Sequence, residues 1–199
     1  MTEFGASLHA RHGWVGSVVE VTKPAGDGVV IAAIHAGSDL FARQCYAPDM
    51  RPRGHPVRAY DAGGVLKGVS GGDGDSGPGA RAVSGGVLHD IAGPLCFSGD
   101  VVAPSVVLPQ ALRPGDIVVL EEAGANTLGI FTSHCSRRRP PVWGYSRKGL
   151  VAGAPVASEG KNASENSSDG FLFSCLAVGK SYTETLSVWS APSAATNDV

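Results

Sequence analysis

A cysteine set in a sharp turn is the residue of this chain best suited to chemistry. Gly93-Pro94-Leu95-Cys96-Phe97-Ser98-Gly99-Asp100 places a thiol between residues that let the backbone bend, close to a carboxylate. An exposed thiol of tuned acidity can donate a proton or act as a nucleophile. A free cysteine is also a common small buried hydrophobe, so composition leaves both roles open for Cys96. Asp100 has a similar choice: it could orient a partner, or it could simply bond the backbone of its own turn.

Other reactive residue types form weaker patterns. His9 and His12 would share a face of a helix, but Gly13 weakens that helix and no third ligand is near, whereas zinc takes about four ligands. His134 and Cys135 are adjacent, and neighbours in a strand point apart. The aspartates of the Gly-rich run 71–79 lack the downstream acidic ligand of a calcium loop. No metal site is expected. Arg137-Arg138-Arg139 is too short a basic run to hold nucleic acid. None of Cys45, Cys96, Cys135 and Cys175 forms a C-x-x-C pair, so a zinc ribbon or thioredoxin-type motif is not supported. No signal peptide is visible at the N-terminus, so the thiols are expected to be reduced, in the cytoplasm, and the sequons at Asn162 and Asn166 unused.

The elements that position these residues follow from composition and patterning. A chain of 199 residues with 43% hydrophobic and 17% charged residues can bury a core, and a net charge of −2 argues against a nucleic acid or anionic membrane partner. No apolar run approaches the roughly 18–20 residues of a membrane span. With 28 glycines and 13 prolines, many short strands joined by tight turns are favoured over long helices.

Residues 14–23 read as a strand, 24–28 as a turn, and Val29–Ile34 as a strand apolar enough to be buried on both faces. Ser38 is the expected N-cap of a short helix through Tyr46 that Pro48 ends. Further strands are expected at 56–61, 101–103, 106–108, 117–121 and 140–145, Val83–Ile91 leads into the Cys96 turn, β character continues through 127–131, 171–176 is apolar, and a terminal helix is expected over 182–189. The expected organisation is residues 1–13 as a lead-in, 14–145 as one domain with a flexible insertion at 63–80, 146–169 as a low-complexity linker, and 170–199 as a strand or helix with a tail. The fold class is all-β: an antiparallel β-barrel or sandwich with few short helices, since no strand–helix alternation calls for a doubly wound sheet.

The ordered motifs resemble a family. Gly93-Pro94-Leu95-Cys96-x-x-x-Asp100, followed by Leu108-Pro109, Pro114-Gly115-Asp116 and Gly124-Ala125, is similar to the C-terminal half of the pyridoxal-phosphate-dependent ornithine/diaminopimelate/arginine decarboxylases, enzymes of alanine-racemase-like fold. Glu3-Phe4-Gly5 resembles the Glu-x-Gly-Arg motif that ends their barrel, and 36–43 resembles a segment with substrate contacts. His89-Asp90-Ile91-Ala92 and Phe97 resemble the diaminopimelate-decarboxylase-like branch.

The resemblance implies that residues 1–13 are the remnant of a barrel end and that Cys96 is the thiol that reprotonates the decarboxylated carbanion. It also implies that Arg43, Tyr46 and Asp100 face the substrate, expected to be a basic amino acid, and that Glu3, Gly5, Gly124 and Asn126 lie at the cofactor, pyridoxal 5′-phosphate. A barrel domain carrying the Schiff-base lysine would be the partner, in a homo- or heterodimer, and the 199 residues alone would be inactive. A second expectation is a non-catalytic homologue that binds a decarboxylase subunit. Five positions depart from the family pattern: Ala6 replaces a phosphate-gripping arginine, Asn126 a tyrosine, His134-Cys135 a Tyr-Asn or Phe-Asn pair, and Phe97 an acidic residue.

Overall fold

The computed structural model describes residues 8–48, 54–70, 85–147 and 171–177. The chain divides into two compact units, Met1–His134 and Cys135–Val199. This boundary falls inside the single domain expected over 14–145.

Among the described residues the first unit holds seven strands: β1 (Val15–Pro24), β2 (Val30–Ile34), β3 (Val57–Tyr60), β4 (Leu66–Ser70), β5 (Val87–Ala92), β6 (Val101–Leu108) and β7 (Ile117–Leu120). One short helix, α1 (Ala42–Tyr46), follows β2. The sheet order is β4-β3-β7-β1-β2-β5-β6. Every pairing is antiparallel except β2 with β5, which is parallel. The all-β expectation holds, and the purely antiparallel one is corrected to a mixed sheet. The reason is topological: parallel neighbours need a long crossover, and α1, β3 and β4 all lie between β2 and β5.

The sheet curls until its edges nearly meet. A methyl group added at Gly68 on edge strand β4 would lie 2.5 Å from Cδ of Pro109 and 3.3 Å from Cδ2 of Leu108, at the end of the other edge, β6. Only glycine allows that approach. Next to it, Lys67 Nζ donates to Asp116 Oδ2 at 2.5 Å and to the Ala111 carbonyl at 2.8 Å. Both side chains of the ion pair are almost wholly buried. Asp116 Oδ2 also accepts the Arg113 N–H at 2.7 Å, closing the Arg113–Asp116 turn before β7. The result is a nearly closed barrel whose seam is polar at one point and tightly packed at the next.

Strand alternation builds the core. Val57 and Ala59, Val118 and Leu120, and His89 and Ile91 are buried at every second residue of β3, β7 and β5. Val19, Ile34, Val102, Val106 and Leu108 complete the interior, and Phe41 seals it with its ring against His55 at 4.6 Å. Each such side chain contributes about 1.5–3 kcal/mol by leaving water. Val29–Ile34 was expected to be buried on both faces. In β2 only Ala32 and Ile34 are fully buried, because the other face lies on the outside of the barrel wall.

Other local expectations are corrected. The expected flexible insertion 63–80 begins as strand β4 over Leu66–Ser70, and residues 71–80 lie outside the described residues. The two strands expected at 101–103 and 106–108 are one strand, β6, with a kink at Ser105 (φ 55°), whose N–H donates to Asp90 Oδ1 at 2.9 Å. The β character expected over 127–131 gives way to a single 3₁₀ turn, Leu128–Ile130, and His134-Cys135 lies in a second, His134–Ser136, in place of a strand.

In the second unit, β8 (Val142–Arg147) pairs antiparallel with β9 (Phe171–Ala177). The linker expected to start at 146 therefore yields its first two residues to β8. Positions 148–170 and the helix expected over 182–189 lie outside the described residues. Among the described residues no helix is long and apolar enough to cross a membrane.

Two stability predictions follow from the seam. Lys67→Met leaves Asp116 as a buried charge without its cation and is expected to cost about 3 kcal/mol, read as a lower urea midpoint with an unchanged slope. His89 is wholly buried, and its Nε2 accepts the Leu112 N–H at 3.1 Å. Burial, helped by the positive charge of Lys67, lowers its pKa below the ordinary 6.5. The folded state therefore disfavours the protonated ring. The stability this neutral ring contributes is complete above pH 6.5 and lost as pH falls through the lowered value. Urea midpoints should decline below pH 6.5, and His89→Gln should flatten that decline.

Candidate functional site

The connection from β5 to β6 is the eight-residue stretch Gly93–Asp100, and its last residue organises it. The Asp100 backbone carbonyl accepts the Gly93 N–H at 2.8 Å, and its N–H donates to the Phe97 carbonyl at 3.2 Å. Its carboxylate points inward. Oδ2 accepts the Leu95 N–H at 2.6 Å, and Oδ1 accepts the Ser38 N–H, also at 2.6 Å, from the loop after β2. The carboxylate fills the space above two glycines: a Cβ at Gly37 would lie 2.7 Å from Oδ1, and one at Gly93 would collide with Oδ2 and with Gly37.

Asp39 does the same for the facing loop, its Oδ1 accepting the Gly37 and Leu40 N–H groups at 3.1 Å each. Asp39 thus braces its own loop and Asp100 ties that loop to the Cys96 turn, both through charge-assisted bonds to the main chain. Asp100, expected to face the substrate, is 2% exposed and bonded to the main chain of two loops.

With the turn fixed, its side chains alternate. Leu95 is buried, Cys96 is exposed and Phe97 is half-buried. The choice left open for Cys96 is decided: its thiol faces outward. The buried thiol is Cys45, whose Sγ donates to the Val101 carbonyl at 3.7 Å and lies 4.0 Å from Asp100 Oδ1. Burial first, and then the negative charges of Asp100 and Asp39, push the Cys45 pKa up to about 12. Sequence reasoning missed Cys45, although its four-residue spacing from Phe41 was a signal that both share the inner face of a helix.

Helix α1 sorts the other residues. Its N-cap is Phe41, with no side-chain cap, and not Ser38, whose N–H is engaged by Asp100. Phe41, Gln44 and Cys45 face the core while Arg43 and Tyr46 are exposed. Tyr46 reaches the Cys96 turn: its ring stacks on Phe97 with centroids 5.2 Å apart and planes 11° apart. The Phe97 plane is within 2° of the His134 ring at 6.4 Å, and the Tyr46 hydroxyl is 3.4 Å from His134 Nδ1. His134 was not expected at the site, because no sequence spacing relates positions 46, 97 and 134.

Cys96, Tyr46 and Asp100 are thus assembled at one end of the barrel, with Arg43 on the same helix as Tyr46. Gly124 and Asn126 sit on a different loop, after β7. The Gly124 N–H donates to the Ala10 carbonyl at 3.0 Å. Asn126 is exposed in a left-handed conformation (φ 55°), and the hydroxyl of the next residue, Thr127, donates to the Ala123 carbonyl at 2.6 Å. Glu3 and Gly5 lie outside the described residues. Among the described residues no three His, Cys, Asp or Glu side chains gather to hold a metal ion.

Residues 70–124 match the family model of the pyridoxal-dependent decarboxylase C-terminal sheet domain. The diaminopimelate decarboxylase of Deinococcus radiodurans is 43% identical over 53 residues, 27% of this chain and 14% of that enzyme. Two crystal structures share the fold. Diaminopimelate decarboxylase from Helicobacter pylori complexed with L-lysine has a TM-score of 0.58 at 16% identity, covering 93% of this chain and 34% of that one. The M. jannaschii enzyme in co-complex with L-lysine has a TM-score of 0.59 at 17% identity, covering 94% and 32%. The chain therefore spans about a third of the length of its solved relatives and a seventh of the curated one.

A prediction separates the two thiols. At pH 8 a pKa near 12 leaves only about one Cys45 in ten thousand as thiolate, the species that alkylates. Mass spectrometry after brief iodoacetamide treatment of the native chain should find Cys96 modified and Cys45 intact. Cys45 should react only after denaturation.

Proposed function

We propose that this chain, whose residues 70–124 match the family model of the pyridoxal-dependent decarboxylase C-terminal sheet domain, is such a domain and supplies the acid of an amino-acid decarboxylation. The observation that carries this reading is the exposed Cys96 thiol on a turn immobilised by a buried carboxylate. Loss of carbon dioxide leaves an electron pair on the substrate carbon, and a proton must reach one face of it. In this reading Cys96 Sγ–H delivers that proton. The bonds of Asp100 to the Leu95 and Ser38 N–H groups support the reading, because a braced turn lowers the cost of orienting the thiol. Arg43 and Tyr46, exposed on α1 beside the turn, would contact the substrate.

Pyridoxal phosphate supplies the electron sink in this family. The described residues do not form a cradle for it, since the Gly124 N–H is engaged by Ala10 and Asn126 brings no cation. In this reading a barrel domain, in the same polypeptide or in a dimer partner, holds the cofactor and its lysine, and Glu3 and Gly5 would stand where the two domains join. The 199 residues alone would be inactive. A second reading, a non-catalytic homologue that binds a decarboxylase subunit, is favoured by the same engaged Gly124 N–H.

Complementation tests the two. The chain with pyridoxal phosphate should release no carbon dioxide from lysine, ornithine or diaminopimelate. Mixed with a decarboxylase barrel domain it should restore turnover, and Cys96→Ala should lower kcat by about 10²–10⁴-fold, the usual worth of a positioned acid. A stable complex without turnover selects the second reading, and an unchanged kcat in Cys96→Ala removes the acid role.

A further inference from the structure

One outer wall of the barrel is apolar where it meets water. Val18 on β1 pairs in register with Ile117 on β7, Ile117 with Tyr60 on β3, and Tyr60 with Leu66 on β4. Their neighbours Val19, Val118 and Ala59 are buried, so strand alternation turns this row outward. A second outward row, Gly16, Val119, Arg58 and Val69, runs beside it. Val18, Leu66 and Val69 are 43%, 51% and 46% exposed. A Cβ on Gly16 would meet no atom within 4 Å, which leaves the β1 backbone open to close approach. Four strands span roughly 20 Å and the six residues Gly16–Val21 about as much again, a face of about 400 Å². Patches of that size on soluble proteins are often functional. The Cys96 turn joins β5 to β6, and Tyr46 sits on α1 after β2, so this face belongs to a different wall from the site.

The strand order makes the face complementary to itself. A two-fold axis along the strands, between β3 and β7, lays β4-β3-β7-β1 of one copy on β1-β7-β3-β4 of another. Leu66 and Val69 on β4 then meet Val18 and Gly16 on β1, large side chains against small. Tyr60 meets Ile117. The ion pair of Arg58 Nε with Glu121 Oε1, 2.6 Å long and partly exposed, stands on the two central strands beside the axis. There each Arg58 faces the Glu121 of the other copy, so opposite charges meet. Sheets packed face to face keep their strands nearly aligned, as this arrangement does.

We propose that the outward face of β4-β3-β7-β1 is a self-association surface, on which a second copy of this chain packs about a two-fold axis along the strands. Two such faces bury about 800 Å² or more in total, the range of weak, reversible contacts. The contact is separate from the docking of a barrel domain at the Cys96 turn and does not depend on the acid role of that thiol.

Sedimentation velocity of the full chain over a dilution series should show a monomer–dimer equilibrium. Leu66→Lys should weaken it about thirtyfold, the worth of one hot-spot side chain, and leave the urea midpoint unchanged because position 66 is exposed. Tyr46→Ser, on the other wall, should leave the dimer intact. Arg58→Glu combined with Glu121→Arg keeps an ion pair within each chain. That variant should associate with itself but not with the unmodified chain, since like charges then face each other across the axis. A chain monomeric at every concentration overturns the proposal. So does a dimer that Leu66→Lys leaves intact or Tyr46→Ser dissolves, or free mixing of the swapped and unmodified chains. Loss of barrel-domain binding in Leu66→Lys assigns the face to that partner and overturns it as well.

Discussion

The architecture of the site depends on one buried carboxylate. Asp100 receives N–H groups from its own turn and from the loop after β2, two segments 62 residues apart in sequence. A carboxylate in the interior is costly unless its oxygens are satisfied, and here each accepts a short bond from the main chain. That requirement shapes the neighbours. Gly37 and Gly93 lack side chains because the carboxylate occupies the space a Cβ would need. Burial, and after it the negative charges of Asp100 and Asp39, pushes the pKa of the Cys45 thiol up to about 12. Cys96 faces outward because the turn that Asp100 closes leaves Leu95 to fill the interior.

The barrel seam uses a comparable device. Lys67 and Asp116 join edge strand β4 to the turn before β7, while Gly68 lets the two sheet edges approach. Buried ion pairs contribute little net stability compared with an apolar replacement, but they penalise any arrangement that separates the partners. At a seam where strand register could slip, that penalty specifies one closure. The site and the seam therefore share a logic: apolar strands supply the bulk of the stability, and a few satisfied polar groups select the arrangement.

Much of the fold was legible because strands carry their own signature. The alternating residues of β3 and β7, the Pro24–Gly28 turn between β1 and β2, and the paired Pro-Gly and Gly-Asp turns are local properties. Failures came where a local property was overruled by distant contacts. Ser38 has the side chain of an N-cap, but its N–H is drawn to Asp100 and the helix starts at Phe41. Thr127–Phe131 has β-prone residues but follows a left-handed Asn126 and winds into a 3₁₀ turn.

Residue types and order alone determined that the chain is a β-rich domain built on short strands, that its Gly-Pro-Leu-Cys…Asp turn resembles that of a decarboxylase sheet domain, and that Cys96 lies at the centre of that turn. These follow from alternation, turn chemistry and motif spacing, all of which are short-range. Only the tertiary structure decided that β2 and β5 run parallel, that Asp100 faces inward and Cys96 outward, and that Tyr46, Phe97 and His134 stack together. Each of these depends on which distant segments pack against one another, and that is set by how the whole barrel closes and not by any stretch of sequence read on its own.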